Sequence, residues 1–125
     1  MKILSSDTIC ALSTGSTTSA IAIIRISGKD SIKIINSIFS KDITHASSHT
    51  THFGIIRKEK FIIDEVLVTI FKENKSFTGE ETIEISCHGS KFIKEKILEI
   101  LINEGCRMAT AGEFTLRAFK NRKID

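Results

Sequence analysis

The clearest pattern in the chain is the alternation from Thr82 to His88. Thr82, Glu84, Ser86 and His88 fall on one side of a strand of period two, and Ile83, Ile85 and Cys87 on the other. One face is therefore apolar and core-bound. The other carries a carboxylate, a hydroxyl and an imidazole, and is the first place to look for a site. Ala20 to Ser27, AIAIIRIS, is instead an almost continuous apolar run. That suits a strand buried on both faces in the middle of a sheet. Arg25 interrupts it, and a charge there is costly unless it is paired or lies at the sheet's edge. Thr51 to Arg57 and the β-branched Ile62 to Phe71 read as two strands joined by the charged turn Lys58-Glu59-Lys60. Asp7 to Leu12 and Cys106 to Ala109 read as shorter strands.

The period changes to a helical one in three places. Asp30 to Phe39 spaces Ile34, Ile35, Ile38 and Phe39 along one face. Ser90 to Glu104 has Ser90 as N-cap and Gly105 just past its end. Its buried stripe is expected to be Phe92, Ile93, Ile97, Ile100 and Leu101, with lysines and glutamates on the wet face. The last helix opens at Thr110-Ala-Gly-Glu113, a capping box in which Thr110 accepts from the Glu113 N–H and Glu113 reaches back. Phe114 and Ala118 would face the core, with Arg117 and Lys120 off that stripe. Thr14 to Ser19, Ser40 to Thr51 and Glu73 to Gly79 read as loops. Condensed, the order is β-α-β-β-α-β with a terminal helix: an α+β fold of the split βαβ kind, its helices on one face of the sheet.

At 125 residues the chain is long enough for one domain with a real core. A hydrophobic fraction of 41% and a charged fraction of 26% are those of an ordinary globular domain. The net charge of +3 is too small to argue for nucleic acid by itself. Arg117, Lys120, Arg122 and Lys123 cluster near the end, and a solvated helix face accounts for them more simply than a ligand-facing patch. Three widely spaced cysteines, Cys10, Cys87 and Cys106, do not make a disulfide framework and suit a reducing, cytoplasmic setting. No apolar run has the length or position of a signal peptide or a membrane span. Proline is absent, so glycine, serine and threonine must make the turns.

Candidate chemistry is sparse. Glu84 can accept two parallel hydrogen bonds from a planar N–C–N edge such as a guanidinium or an aminopterin ring. A surface acid or a salt bridge is the simpler alternative, and Arg25, on the same face as Ile21, Ile23 and Ser27, is a possible ion-pair partner. Cys87 and His88 are adjacent on a strand and point apart, so Cys87 reads as a small core residue. His45, His49 and His52 lie in a polar loop with no nearby acid or thiol to complete a zinc set. No GxxxxGK[S/T] loop occurs, so the chain itself is not expected to bind or hydrolyse GTP.

The motifs Asp7-Thr-Ile-Cys-Ala-Leu, Ala20-Ile-Ala-Ile-Ile-Arg-Ile-Ser-Gly28, Ile63-Asp-Glu-Val-Leu-Val68, Ser76-Phe-Thr-Gly-Glu80, Ile83-Glu-Ile-Ser-Cys-His-Gly89 and Gly112-Glu-Phe-Thr-Leu-Arg-Ala-Phe119 add a resemblance. With the closing Asn121-Arg-Lys-Ile-Asp125 they span nearly the whole chain. Together they resemble the N-terminal domain of the MnmE (TrmE) family of tRNA-modification GTPases.

The resemblance implies a folate-binding, dimerising domain related in fold to the aminomethyltransferases. By the same resemblance it would bind 5-formyltetrahydrofolate or another one-carbon tetrahydrofolate. It would occupy residues 1–119, with 120–125 beginning a connection to a helical region carrying a GTPase domain, so that the chain is a piece of a longer protein. It further implies a homodimer working with an MnmG-type flavoprotein on C5 of the wobble uridine of tRNA, and GTP, Mg and K in the full-length protein. Carried over by motif, the folate contacts are Arg25, Glu84 and Lys123. The family usually has prolines where this chain has Ser16-Thr17, Asn74-Lys75, Ser90-Lys91 and Thr110-Ala111. Two other readings stand beside it. A folate enzyme of the aminomethyltransferase type would need more chain and a catalytic acid. A small basic RNA-binding module would be expected to carry tyrosine, tryptophan or an aromatic strand, which the chain lacks.

Overall fold

A computed structural model describes residues 7–15 and 19–121. Its elements are β1 Ile9–Leu12, β2 Ile21–Ser27, α1 Ser31–Ile38, β3 Thr50–Lys58, β4 Phe61–Phe71, β5 Thr82–His88, α2 Lys91–Asn103, β6 Arg107–Met108 and α3 Glu113–Lys120. All six strands belong to one sheet, in the order β3-β4-β5-β2-β1-β6. Every pairing is antiparallel except β1 with β6. The mixed α+β class is as expected. The condensed β-α-β-β-α-β order is not, because the sheet holds two strands more. β1 is a full member beside β2, and β5 is a third consecutive strand that returns from β4 to pair with β2.

The core lies between one face of this sheet and helices α1 and α2. Ile24 and Ile26 of β2, Val66, Val68 and Ile70 of β4, and Ile83 and Ile85 of β5 meet Ile34, Ile35 and Ile38 of α1 and Ile97, Ile100 and Leu101 of α2. Each such side chain contributes about 1.5–3 kcal/mol by leaving water. Both helices cover the same face, so β2 is not buried on both sides as its composition predicted. Ala22, Ile24 and Ile26 are buried, while Ile23 and Arg25 are half-exposed and Ile21 is open. β5 has the predicted division: Ile83, Ile85 and Cys87 face the core.

Local signals explain the element ends. At Gly28 the backbone has φ +140°, and a Cβ there would meet the Thr8 Cα at 2.6 Å, so only glycine allows the turn from β2 into α1. Ser90 caps α2 by accepting from the Ile93 N–H at 3.2 Å.

The predicted stripe of α2 needs one correction. Phe92 is 66% exposed and lies on the outer row with Lys96, whose Nζ is 6.0 Å from the ring centre. The inward row is instead Lys94, Ile97 and Leu101, spaced three and four apart, and Lys94 is buried.

At α3 half of the expected capping box is present. Glu113 accepts from the Thr110 N–H at 2.9 Å and from its hydroxyl at 3.2 Å. The Glu113 N–H bonds the Thr110 carbonyl, not its hydroxyl, and α3 begins at Glu113 with Gly112, not Thr110, at the N-cap.

Candidate functional site

β2 and β5 are the central pair of the sheet, and their register sets the site. Arg25 stands opposite Glu84, Ile23 opposite Ser86, Ile21 opposite His88, and Ser27 opposite Thr82. All eight side chains belong to the face that α1 and α2 leave uncovered.

Arg25 places both Nε and an Nη on the same Glu84 oxygen, Oε2, each at 3.1 Å. The two side chains are 22% and 25% exposed, so the pair is largely but not fully withdrawn from water. Oε1 of Glu84 and the other Nη of Arg25 have no partner among the described residues. The guanidinium carbon is 5.6 Å from the centre of the Phe77 ring and 5.3 Å from that of Phe114, close enough for cation–π attraction from both. The sequence reading left the ion pair open as an alternative to a ligand-binding Glu84. The structure has the ion pair, with one carboxylate oxygen to spare.

Phe77 is held by a turn built from hydroxyls. The Ser76 Oγ accepts from the Gly79 N–H at 3.0 Å, and Gly79 takes φ +83°. Thr78, fully buried, shares a 2.7 Å hydrogen bond with Ser27. Asn121 donates to the Thr78 carbonyl at 2.9 Å. Ser and Thr thus do the work of turn-making without proline, and they direct Phe77 outward beside Arg25.

Beneath this turn lies an ion cluster that the sequence reading missed. Arg117 is not on a solvated face: its side chain is 3% exposed. One Nη reaches both oxygens of Glu80 at 3.1 Å, and the other reaches Asp7 at 3.1 Å and Glu113 at 3.4 Å. Arg107 adds bonds of 2.7 Å to Asp7 and to Glu113. Glu80 in turn accepts from Ser27 at 2.7 Å. Arg107 above all holds the Glu113 carboxyl down at about 2, helped by the Thr110 N–H against the opposing effect of burial. The same carboxylates raise Arg107 further above its usual range. A signal was available, since Glu80 and Arg117 both sit inside the motifs quoted above, but helical periodicity alone places Arg117 outside.

The third carried-over contact, Lys123, lies outside the described residues, as do Arg122 and residues 16–18 of the first loop. His49 and Phe71 meet with their rings perpendicular and the ring centres 5.0 Å apart, and His52 bonds Thr50 at 2.8 Å. Among the described residues no three His, Cys, Asp or Glu side chains are grouped to hold a metal ion, and no helix is long and apolar enough to cross a membrane. Cys87 is buried. His88 is exposed and bound to Asp64, so the two adjacent residues do point apart.

A family model described as the GTP-binding protein TrmE N-terminus matches residues 8–123. The chain belongs to this family. Among its relatives, the tRNA modification GTPase MnmE of Flavobacterium johnsoniae is 52% identical, over 98% of this chain and 27% of that protein. That of Flavobacterium psychrophilum is 54% identical, over 95% and 27%. That of Chlamydia caviae is 47% identical, over 98% and 28%. The chain therefore spans about a quarter of the length of these relatives, and corresponds to their TrmE N-terminal domain. The Arg25–Glu84 pair, the Phe77 turn and the Arg117 cluster except Asp7 fall within the matched segment.

Proposed function

We propose that this chain is the tetrahydrofolate-binding and dimerisation domain of a tRNA-modification GTPase, with the pterin seated at Glu84. The observation that carries this reading is the half-buried Arg25–Glu84 pair on the open sheet face, framed by Phe77 and Phe114.

The residues present suit a one-carbon tetrahydrofolate. A pterin offers a ring N–H and an exocyclic amine as parallel donors, and Glu84 has one unpaired carboxylate oxygen on a rigid strand. Full bidentate pairing requires Arg25 to give up its share of Oε2. The two rings can keep the displaced guanidinium in place, with its donors turned to a formyl carbonyl or a carboxylate. Phe77, half-exposed, offers a flat apolar face beside Glu84. When bound, the folate would supply the one-carbon unit. The chain's own part is to bind and orient it and to limit the access of water. Lys123 is assigned the role of a further cation for this ligand.

In this reading residues 1–119 form the domain and 120–125 lead into a helical and GTPase region. The whole protein is then a cytoplasmic homodimer that uses GTP, Mg and K. It acts with an MnmG-type flavoprotein on C5 of the wobble uridine of tRNA. Exposed apolar side chains such as Phe61, Ile62 and Phe92 are surface available for dimer contacts.

Titration of the purified chain with 5-formyltetrahydrofolate, followed by heat or folate absorbance, tests the assignment. Glu84→Gln replaces one acceptor oxygen by a donor that faces a donor on the pterin. It is expected to cost about 1.5–3 kcal/mol, or roughly tenfold or more in affinity, with the far-UV circular dichroism unchanged. Equal affinity in the two proteins would return Glu84 to the role of a plain ion-pair partner.

A further inference from the structure

Phe114, Arg117 and Asn121 are spaced three and four residues apart and share one face of α3 and its C-cap. Each reaches a different part of the neighbouring structure. Phe114 brings its ring to 5.3 Å from the Arg25 guanidinium carbon. Arg117 bonds both oxygens of Glu80 at 3.1 Å. Asn121 donates from its side-chain amide to the Thr78 carbonyl at 2.9 Å. Thr78 and Glu80 follow Phe77 in the turn between β4 and β5, and Phe77 is the second ring beside Arg25.

The two rings that flank Arg25 therefore come from separate segments, and something must fix the distance between them. Bonds inside the turn shape it: the Gly79 N–H meets the Ser76 Oγ at 3.0 Å, and the Asn74 N–H meets the Gly79 carbonyl at 3.1 Å. Such bonds do not say how far Phe77 stands from Phe114. Bonds between segments do. Ser27 ties Thr78 and Glu80 to β2, and Arg117 and Asn121 tie the same two residues to α3.

The two α3 contacts differ in what depends on them. Arg117 is buried among three carboxylates, so any change there disturbs the ion cluster. Asn121 is exposed and uncharged, and its side chain meets the turn through one bond. Its backbone N–H stays on the Arg117 carbonyl whatever the side chain. Asn121 can thus set the place of the turn without carrying the fold.

We infer that α3 is a clasp on the aromatic site, with Asn121 as a positioning residue, and that the seating of α3 on the Phe77 turn is linked to occupation of the site. This linkage rests on the folate reading above and adds a control to it. A ligand that needs both rings in place binds the seated arrangement more tightly, and by reciprocity it tightens that seating when bound. The turn is then the element through which a change at the end of α3 reaches Arg25 and Glu84.

The test compares the 125-residue chain with its Asn121→Ala variant, using 5-formyltetrahydrofolate as the probe. Hydrogen exchange of the Gly79 amide reports the turn, and that of Ile85 in β5 serves as the control. Asn121→Ala is expected to speed exchange at Gly79 about threefold or more, leaving Ile85 and the urea midpoint unchanged. Its affinity for the folate is expected to fall about threefold to tenfold, the scale of one hydrogen bond. In the wild type, saturating folate should slow exchange at Gly79. A lowered urea midpoint would make Asn121 a structural residue and overturn its positioning role. If exchange at Gly79 and folate affinity do not change together, or if bound folate leaves Gly79 as it was, the clasp is not linked to the site and the inference fails while the folate reading stands. If the wild type does not bind the folate, the folate reading fails and the linkage with it.

Discussion

Arg25 on β2 and Glu84 on β5 are direct cross-strand partners, and the arginine meets a single carboxylate oxygen of the glutamate through two of its nitrogens. This explains how a charge sits in the middle of AIAIIRIS. The uncovered face of the sheet leaves the pair about a quarter exposed, and the Phe77 and Phe114 rings replace part of the water that the guanidinium loses.

A double-mutant cycle on this pair follows directly. Arg25→Met and Glu84→Gln, singly and together, are expected to show a coupling of about 0.5–1 kcal/mol in urea denaturation, the range for partly solvated opposite charges across strands. A coupling near zero would mean that the contact adds nothing to the fold and that both residues are present for a ligand alone.

The Glu113 carboxyl gives the fold a defined acid limit. Its folded value is held at about 2, below the unfolded 4.5. Its contribution is therefore complete above pH 4.5 and is lost as pH falls towards about 2. The difference corresponds to about 3 kcal/mol. Glu113→Gln is expected to lower stability at neutral pH by a comparable amount and to flatten the decline between pH 4.5 and 2. Urea midpoints collected across that window for both proteins decide the matter. Parallel curves would show that Glu113 does not carry the transition.

Cys87 and Cys106 should be silent in the native chain. Burial, with Asp64 nearby, pushes the Cys87 thiol up to about 11, and the hydrogen bond with Cys10 together with burial raises Cys106. Cys10 and Cys106 are buried where β1 pairs with β6. A thiol so raised has little thiolate at neutral pH. Reaction with an aromatic disulfide reagent at pH 8 is expected to be slow for Cys87 and Cys106 and fast once urea unfolds the chain. Rapid labelling of Cys87 in the folded chain would contradict this burial.

Periodicity made the central strand legible. Thr82 to His88 alternates cleanly because α1 and α2 take one face of the sheet, and Gly105 and Ser90 mark the ends of α2 with side-chain chemistry that needs no tertiary context. Arg25 and Glu84 could be put on one face by counting in twos. Their pairing could not be decided, because the order of strands in the sheet is not written in either strand. β2 looked buried on both sides since isoleucine fills both its faces, yet a sheet with its main helices on one side leaves such a strand half open. Phe92 was misplaced because a large aromatic at the first turn of a helix looks like core, whereas the inward row runs through Lys94. Arg117 was misplaced for the complementary reason. Periodicity treats a charge as a mark of solvent, and three carboxylates brought from positions 7, 80 and 113 make a burial site for it that no local pattern announces.

Arg117 is expected to be the most sensitive charged position described here. Its planar fork bonds Glu80 with one nitrogen and Asp7 and Glu113 with the other, from a side chain 3% exposed. Lysine carries the same charge but cannot fork. Arg117→Lys should keep the sum of charges and lose part of the bonding, at about 1.5–3 kcal/mol for charged hydrogen bonds left unmade. Arg117→Met leaves Glu80, Asp7 and Glu113 facing one another with only Arg107 between two of them, and is expected to cost about 3–5 kcal/mol. Glu80 also anchors Ser27, and Ser27 anchors Thr78 in the turn that carries Phe77. Loosening Glu80 should therefore weaken the folate binding proposed at Arg25 and Glu84 even in Arg117→Lys, whose fold is retained. Urea midpoints rank the two variants, and folate titration of Arg117→Lys separates the cluster's structural part from its effect on the site. A lysine variant that binds folate as the wild type does would confine the cluster to stability, and a methionine variant as stable as the wild type would remove it from the account of what holds α3 to the sheet.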